Sequence, residues 1–241
     1  GKTTTTALCS FMLLEAQRDP AFLIGGVPLN AELGRSYRLG AGPFVIEGDE
    51  YDTAFFDKKA KFLHYRPNVA IVTSVELDHV DIYQDLGAIQ QSFRELVSLL
   101  PEDGLLLVCA GDESTLSIAQ GARCKVERYA LGPAGGAPLE WRAQLVGTRP
   151  GGRTLFDVYR HGERLGTFDT GLAGSYNIEN ALASIAALFH LGVPVADLQR
   201  GLRLFAGVKR RQELRGLAQG VSVVDDLDVS TVTRGWAKEL V

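Results

Sequence analysis

No run of 18 apolar residues occurs in this 241-residue chain, so it holds no helical membrane span of ordinary length. A surplus of positive charge is missing too. Lys and Arg number 25 against 29 Asp and Glu, a net charge of −4, and bulk basicity gives nucleic acid no footing. Cysteine is sparse. Cys9, Cys109 and Cys124 are odd in number, form no CxxC and have no histidine nearby. They read as buried thiols of a reducing cytoplasm rather than as disulfides or metal ligands. There is no internal repeat, no low-complexity tract and no visible signal peptide. The length suits one large domain, or one domain plus a piece of another.

What is present is an alternation of periods. Residues 4 to 17 place Ala7, Leu8, Phe11 and Leu14 on one helical face. "PFVIEGD" (43–49), "NVAIVTSV" (68–75) and "GLLLVCAG" (104–111) are short Val-, Ile- and Leu-rich runs of the kind found in buried parallel strands. Between and after them lie amphipathic helices at 86–101, stopped by Pro101, and at 112–121, capped by Asp112. This predicts a doubly wound, mostly parallel α/β sheet. From Lys125 to Asp169 the texture changes to alternating runs separated by "RPGG" and "RHGE", which predicts a small antiparallel region. Helices return at 177–192 and 195–205, and "GVSVVDD" (220–226) is a last strand.

Five stretches carry chemistry. "GKTTTT" has the form of the second half of a phosphate-binding loop and the start of its helix. In such loops backbone N–H groups and the helix N-terminus hold phosphate oxygens, the lysine reaches the β/γ-phosphates and the next hydroxyl takes Mg²⁺. Gly1, Lys2, Thr3 and Thr4 fit that pattern, and the bland alternative is a Thr-rich frayed terminus. The loop's first half is absent, so the expectation is a fragment. Glu47 sits at the end of an apolar strand, where open α/β sheets bind ligands, with Asp49, Glu50 and Asp52 close behind. Crowded acids need a cation, unless the segment is simply a solvated turn. His79, flanked by Asp78 and Asp81, reads as a second metal ligand or as a structural histidine. Asn177 and Asn180 share one helix face and either cap it or read an adenine edge. Lys209, Arg210 and Arg211 form a local cationic run with no interleaved aromatics, an anion contact or a solvated patch.

In that order, and with the longer stretches "FLIGGVPLN" (22–30), "FVIEGDEYDTAFFDKKAKFLHYRP" (44–67), "ELDHVDIYQDLGAIQQSF" (76–93) and "FAGVKRRQE" (205–213), the chain resembles the Mur ligases. These are the ATP-dependent amide-forming enzymes of peptidoglycan synthesis, and the likeness is greatest to their murein-recycling branch. It covers residues 1 to 226. It implies a P-loop-type central ATP-binding domain at 1–207, cut within its loop, and the start of a C-terminal Rossmann-like domain at 208–241. It also implies ATP and Mg²⁺, and UDP-N-acetylmuramate and the tripeptide L-Ala-γ-D-Glu-meso-diaminopimelate as substrates, joined through an acyl phosphate. The alanine-adding member of the family is the rival ligase, an unrelated P-loop NTPase or kinase is a second, and a non-catalytic remnant is a third. The resemblance assigns Lys2 to the β/γ-phosphates, Thr3 and Glu47 to one Mg²⁺ and His79 to a second. It sets Asn180, with Asn177, against the adenine, and brings Arg211 and Asp226 to the nucleotide from the third domain. Asn30 matches a substrate-side residue. The isolated chain is expected to ligate nothing.

The chain departs from the family's pattern in places. Gly48 replaces an alanine, Ser74 stands where an asparagine is usual, and Arg94 lies near a position at which several members carry a carbamoylated lysine, which the murein-recycling branch also lacks. After Asp226 the expected aromatic residue and His-His-Pro run give way to "LDVSTVTRGWAKELV", as a frameshift or misassembled gene end would produce.

Overall fold

The computed structural model describes residues 1–76, 83, 85–133, 139–149, 152–218 and 221–226. Its first element is the Thr-rich helix α1 (Lys2–Glu15). Four consecutive threonines are poor helix formers in isolation. Here Thr5 and Thr6 donate their hydroxyls back to the carbonyls of Gly1 and Lys2, at 3.2 and 3.0 Å, and Ser10 does the same to Thr6 at 2.8 Å. The hydroxyls are thereby satisfied inside the protein, and every residue from Thr3 to Leu13 is buried.

The remaining elements follow the expected order with additions. A three-stranded sheet joins β1 (Ala21–Leu23), β2 (Tyr37–Arg38) and β3 (Phe44–Ile46), with β1 and β3 parallel. A hairpin of β4 (Asp52–Ala54) and β5 (Asp57–Ala60) follows, then a short 3₁₀ turn at Lys61–His64. The main sheet has six strands in sequential order: β6 (Val69–Val72), β7 (Leu105–Cys109), β8 (Lys125–Leu131), β9 (Trp141–Arg149), β10 (Arg153–Arg160) and β11 (Glu163–Thr170). The β6 to β9 ladders are parallel, and β9, β10 and β11 are antiparallel. Helix α2 (Leu86–Leu99) links β6 to β7, and α3 (Glu113–Ala119) links β7 to β8. Asp112 caps α3 by accepting from Ser114 N at 2.8 Å, as its sequence position predicts. After β11 come α4 (Ser175–His190), α5 (Val195–Leu204) and a hairpin of β12 (Glu213–Ala218) and β13 (Val221–Asp225).

β7 shows why the sheet is doubly wound. All five of its residues are buried. Leu105, Leu107 and Cys109 join the core under α1, α4 and α5, while Leu106 and Val108 join a second core under α2 and α3. A strand covered on both faces reads as a continuous apolar run, not an alternating one. The three thiols are free and buried, and burial pushes Cys9 up to about 11. The structure adds one feature the alternation did not predict. The strand before Glu47 does not join the six-stranded sheet but belongs to a separate one.

Candidate active site

Three elements end at one cleft of about 320 Å³. α1 contributes its N-terminus, β3 the residues after its last strand position, and β6 Thr73 and Ser74. The first-turn N–H groups of α1 have no intrahelical acceptors, and no acidic residue sits in that turn. Gly1, Lys2, Thr3 and Thr4 therefore present the positive end of a helix to the cleft, an arrangement suited to an anion.

Glu47 is fixed from two sides. The β1–β3 pairing continues one residue past β3, with Glu47 N donating to Leu23 O at 3.2 Å. Its carboxylate accepts from the Thr3 hydroxyl at 2.9 Å and from Gly25 N at 2.8 Å. A Cβ on Gly25 would lie 2.6 Å from one oxygen of Glu47, and one on Gly26 would lie 2.9 Å from the Thr3 methyl. Both contacts are closer than atoms tolerate, so the Gly-Gly pair makes room for the Thr3–Glu47 couple. Thr3 Oγ1 and the Glu47 carboxylate are neighbouring hard oxygens of the type Mg²⁺ accepts, and Mg²⁺ is commonly held by one or two carboxylates together with substrate phosphates. The donor set fits that ion. Among the described residues no group of three His, Cys, Asp or Glu side chains could hold a metal without such outside oxygens.

Lys2 pairs with Glu50, a buried carboxylate on the same cleft wall. The Tyr83 hydroxyl donates to the Glu50 carbonyl at 2.9 Å, and burial, helped by the nearby acids, raises the Tyr83 phenol above its ordinary range. The other acids of this cluster also have cations. Asp49 meets Lys61 at 3.2 Å and Asp52 meets Lys58 at 2.8 Å. Lysines therefore supply the neutralising charge that this acidic run calls for.

The asparagine pair is placed as one connected unit. Gly1 N and the Thr5 hydroxyl both donate to Asn180 Oδ1, at 3.0 and 3.2 Å. Asn180 Nδ2 donates to Asn177 Oδ1 at 3.2 Å, and Asn177 Nδ2 to Ala173 O at 2.7 Å. Only Asn177 lines the cleft, and Asn180 stands behind it tying α4 to the start of α1. Arg211, Gln212 and Asp226 close the opposite side.

Asn30 and Arg94 do not line the cleft. His79 falls at 77–82, outside the described residues, as does the segment after Asp226. Asn30 braces the α5 exit, donating to Leu204 O at 3.0 Å and accepting from Ala206 N at 2.7 Å. Arg94 points to Ser117 on α3 at 3.3 Å, and Ser74 lines the cleft. A methyl group on Gly48 would find its nearest neighbour at 3.8 Å, so alanine would be accommodated there. Sequence reading missed Gly25, the Lys2–Glu50 pair and Tyr83. The adjacent Gly25-Gly26 after an apolar run was the available signal for the first.

The Mur ligase middle domain model matches residues 1–188. A UDP-N-acetylmuramate–L-alanyl-γ-D-glutamyl-meso-2,6-diaminoheptandioate ligase of Haemophilus influenzae is 40% identical over 228 residues, covering 94% of this chain and 48% of the relative. A UDP-N-acetylmuramate–L-alanine ligase of Acetivibrio thermocellus is 35% identical over 227 residues, covering 94% of this chain and 46% of the relative. The crystal structure of a UDP-N-acetylmuramate:L-alanyl-γ-D-glutamyl-meso-diaminopimelate ligase from Neisseria meningitides superposes with a TM-score of 0.75 at 40% identity, covering 87% of this chain and 64% of that one. The chain spans about half the length of the curated relatives it matches.

Proposed function

The chain belongs to the Mur ligase family, and on that premise we propose that residues 1–226 form the ATP-handling part of a cytoplasmic ligase of peptidoglycan recycling. Its reaction joins L-Ala-γ-D-Glu-meso-diaminopimelate to UDP-N-acetylmuramate. The observation that carries the reading is the convergence on one cleft of a helix N-terminus, Lys2, the Thr3–Glu47 couple, Asn177 and Arg211. The identity to ligases named for the tripeptide, 40%, exceeds the 35% to the alanine ligase and favours the former substrate. The proposed domain boundary falls at Gly207, with residues 208–241 opening a third domain.

The residues divide the work as follows. The α1 N-terminus and Lys2 hold phosphate oxygens, Lys2 exchanging its partner Glu50 for them. Thr3 and Glu47 hold Mg²⁺, and His79 a second ion. Asn177 faces the adenine and Asn180 keeps it in register with Gly1. Arg211 and Asp226 approach from the far wall, and their closure excludes water. ATP supplies the phosphoryl group that turns the muramoyl carboxylate into an acyl phosphate open to the peptide amine, with Mg²⁺ neutralising the crowded oxygens. What the protein adds is positioning and fixed charge.

Nucleotide binding provides the test. Titration of a fluorescent ATP analogue with Mg²⁺ should give saturable binding, weakened at least tenfold by Lys2→Ala. Equal affinity in the variant would overturn the assignment of Lys2. For the ligase step, mass spectrometry of the full gene product should detect UDP-muramoyl-tripeptide only when ATP is present. If L-alanine is incorporated in preference to the tripeptide, the rival ligase reading replaces this one.

A further inference from the structure

Asn30 and Leu204 stand 174 residues apart in the sequence, yet the segments that carry them are tied by a row of hydrogen bonds. Leu29 N donates to Gly207 O and Lys209 N to Val27 O, both at 2.9 Å, on either side of an antiparallel bridge between Pro28 and Val208. The two bonds bracket that bridge, so the N–H that Pro28 lacks is one the pairing does not use. Asn30 continues the row with its side chain. Nδ2 donates to Leu204 O at 3.0 Å, and Oδ1 accepts from Ala206 N at 2.7 Å. A side-chain amide supplies a donor and an acceptor from one planar group, which a carboxylate or a hydrophobic residue of that length does not.

A cap on α5 would need only the first of these bonds. Leu204 is the last residue of α5, and its carbonyl has no partner within the helix. The second bond reaches Ala206, beyond the helix, and holds the run that leads to the cleft. Val208 on that run is buried against Gly26. A Cβ on Gly26 would lie 2.9 Å from a Val208 methyl carbon and 2.9 Å from the Thr3 methyl carbon, so the run sits one residue's thickness from the Thr3–Glu47 couple. Arg211 N then donates to Val208 O at 3.3 Å and closes a turn in which Arg210 is left-handed, at φ 54°. One residue separates Lys209, the last position bonded to the 27–30 strip, from Arg211, which lines the cleft.

We propose that Asn30 is a positioning residue for Arg211. Its two bonds fix the backbone from 204 to 206 on the 27–30 strip, and that fixed base sets where the Arg211 guanidinium meets the nucleotide. Asn30 itself touches no ligand. The resemblance sets Asn30 on the substrate side, but both of its amide atoms are engaged with backbone, and it stands outside the cleft lining. A guanidinium at the end of a loosened run must be ordered on binding, which costs affinity. This role depends on the nucleotide reading of the cleft, because Arg211 is its only route to the ligand.

A double-mutant cycle between Asn30→Ala and Arg211→Ala tests it, read by titration of the fluorescent ATP analogue with Mg²⁺. Residues acting through one another give non-additive losses. Asn30→Ala should weaken binding about fivefold when Arg211 is present and less than about twofold when it is already alanine. In the same variant, without nucleotide, the amides of Leu29 and Lys209 should exchange faster while those of β10 and β11 stay as they were. An equal loss in both backgrounds makes Asn30 a structural residue only and overturns the proposal, as does unchanged affinity in Asn30→Ala. If that variant instead weakens binding of UDP-N-acetylmuramate by the full gene product, Asn30 is a substrate contact and the proposal falls. Should Asn30→Ala not fold, Asn30→Asp keeps the bond from Ala206 N and sets a carboxylate oxygen against Leu204 O, and the same cycle decides. The outcomes also separate this role from the reading it stands on. If Arg211→Ala alone binds as tightly as the parent, the assignment of Arg211 to the nucleotide fails and takes the role of Asn30 with it. If Arg211→Ala weakens binding and the cycle is additive, only the role of Asn30 fails.

Discussion

The far half of the main sheet and the half that borders the cleft are built to opposite rules. From β7 to β10 every strand has two partners, and the fully buried Trp141, Tyr129 and Phe156 lie on those strands. Trp141 packs edge-on to Phe189 and donates its indole N–H to the buried Glu127 at 2.5 Å. On the other side β3 and β6 end a sheet each, and the hairpin between them exposes Phe55 and Phe56 almost fully, at 92% and 91%. The cleft residues Lys2, Thr3, Glu47, Glu50 and Ser74 all come from the margin of this interrupted side. Continuous pairing and packing generate stability, while the candidate site lies where the sheet stops, because there backbone N–H groups and strand-end carboxylates can face a ligand.

Substitutions on the two sides should therefore fail differently. The largest stability effect is expected from Trp141→Ala, which empties a core position and strips Glu127 of one donor. Such truncations cost about 3–5 kcal/mol, and chemical denaturation should show that loss while the folded fraction keeps its affinity for nucleotide. A destabilisation under 1 kcal/mol would remove the contrast. Gly25→Ala should do the reverse. Its methyl group cannot coexist with the present Glu47 carboxylate, so Mg²⁺-dependent nucleotide affinity should fall at least tenfold with the unfolding midpoint shifted little. Both quantities can be read on one preparation, by titration and by thermal melting.

How much of this could be read from the chain depended on whether the signal was local. α1, β7, α3 with its Asp112 cap, and α4 stopped before Gly192 are each specified by periodicity and a terminator a few residues away. That Lys2 and Thr3 open a helix and that Glu47 follows a strand could be read for a similar reason, since strand ends and helix starts are local events. The division of the parallel strands into two sheets was not, because Phe44–Ile46 and Val69–Val72 look alike and pairing is decided by distant neighbours. The Lys2–Glu50 pair spans 48 residues and the Asn180 to Gly1 bond 179. No spacing rule reports contacts of that range, so the bonds that tie the Asn180 amide to Gly1 and Thr5 could not be read from its position.

The acid limb of stability gives a smaller effect that again separates the two sides. Burial alone would raise the Glu127 carboxyl, but the Lys125 and Trp141 hydrogen bonds outweigh it and hold it below its ordinary value of 4.5. Glu140 is likewise lowered, its burial being overcome by hydrogen bonds from Arg128. A carboxyl with a depressed folded-state pKa contributes stability that is present above its unfolded value and is lost as the pH falls through the folded one. Stability measured by denaturant titration should thus be flat from neutral pH to near 4.5 in respect of these groups and decline below it. Glu127→Gln should flatten that decline.

The smallest expected effect lies on the exposed hairpin. Phe55 and Phe56 have little contact to lose, and surface substitutions away from caps, cores and charge networks usually change stability by about 0.5 kcal/mol or less. Phe56→Ser should therefore leave both the unfolding midpoint and ATP-analogue affinity at their starting values, although it lies only six residues from Glu50. A drop in either would mean that the aromatic tip is coupled to the cleft through β4, and that the open side is held together by more than the lysine–carboxylate pairs Lys58–Asp52 and Lys61–Asp49 at its base.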